Sequence, residues 1–282
     1  MTTKLKTTLL ATLASLALLT NSASACCIEI DGVAYDDDQV GELITVITAT
    51  SPVLCIPNTT HIYPSQVSLY RNSTLAKAKK IIVFDGIPPG EEHLEAAYNK
   101  YKQNIQELVA TDYYFANTEL VFCSKWGHLS GSIEEALKHV KTPFVFMHQH
   151  DLILKKDFNL NALVATMVAN PAIKYVHLWG GKNKKSKWWN RCVDDKVEGI
   201  HFVPLTRSFG WSDQCHVATV DYYKNFVLPE CDHCFMETAM QQKFEKALNE
   251  KDKKAHEQFG TYLYGNLSDG YYIKHTDGRN NP

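Results

Sequence analysis

Side chains able to do chemistry fall in four short stretches. The first, FVFMHQHDL (144–152), is an apolar run that ends in His148, Gln149, His150 and Asp151. Neutral imidazoles and a carboxylate suit zinc or manganese, and on an extended chain His148 and His150 share one face. The second, HTDGR (275–279), sets an imidazole, a carboxylate and a guanidinium side by side, and Arg279 has the planar fork that grips a phosphate through paired hydrogen bonds. The third, FMETAMQ (235–241), puts Glu237 at a helix start beside Phe235 and Met236. A carboxylate in an apolar rim has a raised pKa and is suited to general-base work. Asp213, in GWSDQCH, is a second candidate for that role. The fourth, GGKNKKSKWWNR (180–191), carries lysines that neutralise phosphates, Lys182 and Lys184 among them, and the adjacent Trp188 and Trp189, whose indoles are platforms for a sugar ring. Each stretch also has a purely structural explanation: a strand tip satisfied in the core, a solvated tail, a helix-opening Glu favoured by the helix dipole, a solvated loop with one packed tryptophan.

The elements around these stretches predict where they lie. LITVITATSPV (43–53) is β-branched and closed by Pro52, a buried strand. QVSLYRNSTLAKA reads as a short helix, KKIIVFDGIPPG (79–90) as a second strand, and EEHLEAAYNKYKQNIQELVAT as a helix with Leu94, Ala97, Tyr101, Ile105 and Leu108 at helical spacing. TELVFCSK is a third strand, SGSIEEALKHVK a helix capped by Ser130 or Ser132, and PFVFMHQHDLIL a fourth strand. Strands alternating with amphipathic helices imply a parallel sheet with helices on both faces. Such sheets bind ligands outside the carboxyl ends of their strands, where His148 to Asp151 fall. Beyond Asp151 come a helix (FNLNALVATMVANP), a strand (IKYVHLW), then strand, loop and short helix through HFVPLTRSFGWSDQCHVATVDYYKNFVLP. A long helix (CFMETAMQQKFEKALNEK) and short strands (GTYLYGNLSDGYYIKHTDGR) close the chain. No linker divides it, so one α/β domain is expected, with an irregular second half.

Composition narrows the classes. A formal charge of −2 over 282 residues supplies no general attraction for nucleic acid or anionic lipid. No GxSxG elbow, P-loop or GxGxxG is present, against hydrolase, NTPase and dinucleotide readings. Lys4 and Lys6, an apolar run from Leu9 to Leu19 and Ala23-Ser24-Ala25 predict a signal peptide over residues 1–25, cleaved before Cys26. The expected location is the lumen of the secretory pathway (ER or Golgi) or outside the cell; in a bacterium, the periplasm or a lipid anchor. Eight cysteines, at 26, 27, 55, 123, 192, 215, 231 and 234, then suggest disulfides; CDHC (231–234) also has zinc or redox spacing. Asn58, Asn72 and Asn266 head glycosylation tripeptides.

Taken in order, the segments resemble a GT-A glycosyltransferase, most like the inverting family-two enzymes. ITVITATSPV is similar to the opening strand whose end holds the nucleotide, which implies donor contacts from Thr48, Ala49 and Thr50. KKIIVFDGI resembles the second strand, with Asp85 at the base-contacting position. GHLSGSIEEALKHVKTPFVFMHQHDLIL is similar to the turn, helix and strand that lead into the family's Asp-x-Asp motif. Here Gln149-His150-Asp151 stands in its place, so only Asp151 keeps a carboxylate.

The resemblance implies a nucleotide-binding half at about 43–155 and an acceptor half at about 156–282. It implies a UDP- or GDP-linked sugar donor and a glycan, protein or lipid acceptor held by Trp188 and Trp189. Glu237 would be the base, with Asp213 its alternative. Mn2+ or Mg2+ would sit on Asp151 with His150 and His275, or Lys182, Lys184 and Arg279 would neutralise the diphosphate instead. The altered motif leaves two other classes open: an inactive, glycan-binding transferase-like protein, and a metal-dependent hydrolase built on His148, His150, Asp151 and His275.

Overall fold

The structure is a computed structural model. It describes residues 28–30, 32–53, 55–181, 192–197, 203–208, 210–231, 234–249, 255–266 and 269–276, with the backbone alone at 192–197, 248–249 and 255–256. The predicted signal peptide, Cys26, Cys27, Lys182, Lys184, Trp188, Trp189 and Arg279 lie outside the described residues.

A hairpin of β1 (Ile28–Ile30) and β2 (Val33–Tyr35) precedes the main fold. The first half then runs β3 (Ile44–Thr50), α1 (Ile62–Leu69), α2 (Ser73–Lys77), β4 (Lys79–Phe84), α3 (Glu95–Thr111), β5 (Thr118–Phe122), α4 (His128–Leu137), β6 (Phe144–Gln149). The second half runs β7 (Leu152–Leu154), α5 (Leu160–Ala169), β8 (Tyr175–His177), β9 (Cys192–Val197), β10 (Leu205–Ser208), β11 (His216–Thr219), α6 (Val220–Tyr222), α7 (Met236–Asn249), α8 (Ala255–Phe259), β12 (Thr261–Tyr264) and β13 (Ile273–His275).

The α/β architecture is as the alternation implies: a central sheet flanked by helices, in the order β5-β4-β3-β6-β11-β8-β12-β10-β9. Strands β5, β4, β3 and β6 are parallel, as are β8 and β12, while β11 and β10 pair antiparallel to both of their neighbours. Every residue of β3 is buried, because alternate side chains feed two apolar clusters, Val46 one and Ile47 the other. A strand covered on both faces reads as a continuous apolar run.

Four local readings are corrected. The helix expected over QVSLYRNSTLAKA is two, α1 and α2, because Asn72 interrupts it and caps α2 by accepting from Leu75 N at 3.0 Å. Asn72 is buried and also donates to Asp157 Oδ1 (2.8 Å) and Phe158 O (2.9 Å), so its tripeptide is closed to glycosylation in the folded chain, whereas Asn58 is exposed. Ser130 and Ser132 lie inside α4, which starts at His128. The fourth strand is two: the chain turns at His150-Asp151, and β7 leaves the main sheet to pair with β13.

Candidate active site

The chain runs from β3 to β4 and β5 on one side, then returns to β6 on the other. That reversal opens a crevice at the carboxyl ends of β3 and β6, the place where sheets of this kind bind ligands. Ala49 pairs with Gln149 at its mouth, and His150 closes the turn by donating both its backbone N and its ring Nδ1 to Ala49 O, each at 3.2 Å.

Three elements bring carboxylates and imidazoles to this edge. Asp151 sits in the β6–β7 turn and is buried. The β7–β13 pairing sets His275 against Leu152, so His275 Nδ1 lies 3.4 Å from Asp151 Oδ2. Thr276 fastens the same corner: its backbone N and its hydroxyl donate to Asp151 O at 2.8 and 3.0 Å. From the amino end of β11 comes Asp213, whose carbonyl accepts Gln149 Nε2 at 3.1 Å. From the first turn of α7 comes Glu237, with the Ser212 side chain beside it.

Their environments push the carboxyls apart. Burial alone would raise Asp151, but the His275 hydrogen bond and the charges of His150 and His275 outweigh it and hold the group at about 2. Burial, with help from the Asp151 charge, raises Asp213 against the opposing Gln149 bond and His275 charge. Burial and the Asp213 charge push Glu237 up to about 7, against Ser212 and His275. Near neutral pH the site thus holds one committed carboxylate and one able to take a proton, the division of labour seen where paired carboxyls share acid–base work.

Asp151 Oδ1 is buried with no hydrogen-bond partner among the described residues. An orphaned carboxylate oxygen calls for a cation or a donor. No group of three or more His, Cys, Asp or Glu among the described residues is arranged to hold a metal by itself. A Mg2+-type ion needs only one or two protein carboxylates when substrate phosphates supply further oxygens, and Asp151 fits that smaller role.

Several expected residues are committed elsewhere. His148 is 1% exposed and joins an internal chain: Gln66 Nε2 donates to Thr48 Oγ1 (2.9 Å), Thr48 Oγ1 contacts His148 Nδ1 (3.2 Å), and His148 Nε2 donates to Leu152 O (3.0 Å). Burial lowers its pKa to about 4. Both ring nitrogens are thus occupied, which removes His148 from the ligand set of the hydrolase reading, and the Thr48 hydroxyl faces the core. The Thr50 hydroxyl bonds Tyr101 OH at 3.1 Å, and its carbonyl accepts Asp85 N at 2.9 Å. Asp85 is buried; its Oδ1 accepts Gly86 N (2.8 Å) and Gly127 N (2.9 Å), tying the end of β4 to the start of α4. Gly86 lets the loops approach, because a Cβ there would meet Trp126 N at 2.2 Å.

Two contributors had no signal in the sequence. Tyr175 of β8 donates to Ser212 O at 2.6 Å and so fixes the segment beside Glu237. His61, at the head of α1, lies 3.5 Å from Thr276 Oγ1. Ser212 itself lay within the GWSDQCH stretch.

Compared by sequence, the chain matches no family model and no curated protein. Compared by fold, it is similar to several solved structures. TarS 1–349 from S. aureus shares 13% identity at a TM-score of 0.48, over 83% of this chain and 60% of that one. GalNAc-T7 with UDP, GalNAc and Mn2+ shares 10% identity at 0.48, over 81% and 44%. The mannosyltransferase PcManGT from Pyrobaculum calidifontis, in complex with GDP-Man and Mn2+, shares 16% identity at 0.33, over 49% and 35%. The chain therefore spans about a third to three-fifths of the length of these proteins.

Proposed function

We propose that the chain is a glycosyltransferase that moves a sugar from a UDP- or GDP-linked donor to a hydroxyl of a glycan, protein or lipid acceptor, with inversion. The observation that carries this reading is the pairing, at one crevice, of an ionised Asp151 with an orphaned Oδ1 and a Glu237 poised near neutrality. Inverting transfer needs both. Glu237 takes the proton of the acceptor hydroxyl as that oxygen attacks the anomeric carbon, and a base with a pKa near working pH does this best. Charge builds on the departing diphosphate, so stabilisation aimed there lowers the barrier.

A divalent cation held by Asp151 Oδ1 and the donor phosphates would supply that stabilisation, with His275 orienting the carboxylate through Oδ2. Gln149 steadies the Asp213 backbone between the two halves of the site. Lys182, Lys184 and Arg279 remain candidates for the diphosphate, and Trp188 and Trp189 for the acceptor. The lumen of a secretory pathway suits the proposal, since it supplies nucleotide sugars to an exported chain. Among the described residues no helix is long and apolar enough to cross a membrane.

Calorimetry of UDP and GDP binding to the purified chain, with and without Mn2+, tests this. Binding strengthened by Mn2+ supports the transferase reading. The absence of nucleotide binding in either condition removes it and favours a glycan-binding protein.

A further inference from the structure

The entry to α7 holds a cysteine pair that sugar transfer does not use. Cys231 is buried and Cys234 half-buried. Both pack, three positions apart in the chain, into the apolar cluster that contains Met236, Met240 and Phe244 of α7. Both are free thiols here, and no third His, Cys, Asp or Glu among the described residues joins them as a metal-holding group. Their backbone is anchored. The Ser130 hydroxyl of α4 accepts from Cys234 N at 3.0 Å and donates to Cys234 O at 3.1 Å, while Cys231 N donates to Leu228 O at 2.9 Å. Met236 opens α7 two positions after Cys234, and Glu237 follows.

We propose that Cys231 and Cys234 form a reversible disulfide, a redox modification site that controls the order of the first turn of α7. A bridge closing so short a loop removes little entropy from the unfolded chain, which suits a switch better than a permanent staple. The partial exposure of Cys234 also gives the access that labile, regulatory disulfides have.

The reaction is thiol–disulfide exchange with a low-molecular-weight disulfide such as oxidised glutathione. The Cys234 thiolate attacks one sulfur of the reagent, whose S–S bond breaks to release a first thiolate. The Cys231 thiolate then attacks Cys234 Sγ in the mixed disulfide and releases a second. The two protein thiols lose two electrons, which reduce the reagent disulfide, and their protons end on the two released thiols. Cys234 is reached first because it is the more exposed. Cys231, its pKa pushed up to about 12 by burial and by the adjacent Cys234, acts second, inside the pair.

Any effect on catalysis rests on Glu237 being the base; the bond and its effect on α7 do not. The test therefore leaves activity aside. The purified chain is equilibrated in glutathione buffers from reducing to oxidising, its free thiols are alkylated, and peptide masses locate the disulfides. Hydrogen exchange is read on the same samples at the amides of 236–239. The expected result is a two-electron titration of an internal Cys231–Cys234 bond, with exchange at 236–239 slowed on the order of tenfold in the oxidised form. A Cys231→Ser/Cys234→Ser double variant should exchange at the reduced-form rate in every buffer, although the wild-type titration decides by itself. The proposal is overturned if both thiols stay alkylatable in every buffer, if either sulfur pairs with another cysteine, or if the bond forms with exchange unchanged. Failure of nucleotide binding would leave all three readouts as they stand.

Discussion

Asp151 and His275 are far apart in the chain yet stand 3.4 Å from each other, Oδ2 to Nδ1, because β13 folds back onto β7. Burial of Asp151 is opposed chiefly by this contact. Replacing His275 by Ala should therefore let burial act, and the Asp151 carboxyl should titrate above its present value of about 2. Carboxyl carbon NMR across an acid titration reads this directly, and an unmoved Asp151 would show that His275 is a bystander.

Asp151→Asn keeps the shape of the turn and removes the charge. Loss of a charged contact is worth about 1.5–3 kcal/mol, on the order of a tenfold to hundredfold weakening. That weakening is expected for UDP or GDP binding in Mn2+ only. Without the cation, Asp151 repels a diphosphate, so the variant should bind at least as well as the wild type. Equal weakening in both conditions would contradict a cation-mediated role.

Glu237 has two pH signatures. Transfer should rise as the base ionises through about pH 7, and Glu237→Gln should lose about 10²–10⁴ in rate with nucleotide binding intact. Stability runs the opposite way. With its folded pKa raised from 4.5 to about 7, the carboxyl contributes stability below pH 4.5, and this is lost as pH rises through 7. Thermal melts should find the Gln variant more stable than wild type at pH 8, with the gap closing toward pH 4.5.

Three buried histidines predict acid lability. Burial is the main cause that lowers His148 to about 4 and His177 and His216 to about 3. His216 is held neutral by donating Nδ1 to Gln214 O and accepting Tyr223 OH at Nε2, both at 2.6 Å. A depressed folded pKa means full stability above the ordinary value of 6.5 and progressive loss as pH falls toward 3–4. Calorimetric melting temperatures should be flat above pH 7 as regards these groups and fall below 6.5. Replacing His148 by Gln should flatten part of that fall.

Gly86→Ala tests the clamp that holds Asp85. The new Cβ would meet the backbone of Lys125 and Trp126 at 2.2–2.6 Å, and backbone cannot swing aside as a flexible side chain does. A destabilisation of about 1–3 kcal/mol or more is expected in denaturant unfolding.

Much of this protein is legible in its residues because the signals are local. Apolar, β-branched runs mark β3, β4 and β6, helical patterning marks α3, α4 and α7, and the alternation of strand and helix implies a crevice at the carboxyl edge. Residue chemistry picked out Asp151, His275, Asp213 and Glu237, which the fold gathers at one edge. The tertiary structure alone decided which side chains remain available. Thr48 and His148 look like site residues in the string, yet the pleat turns them into a network with Gln66. Asp85 looks like a ligand contact, yet two glycine amides hold its Oδ1. The strand β11 leaves no mark in the sequence because its four residues gain their pairing only between β6 and β8. Proton affinities were equally out of reach: the separation of Asp151 from Glu237 depends on burial and on partners brought in from distant strands. Sequence determines which groups exist and their local periodicity; long-range pairing and desolvation determine which of them are free to react.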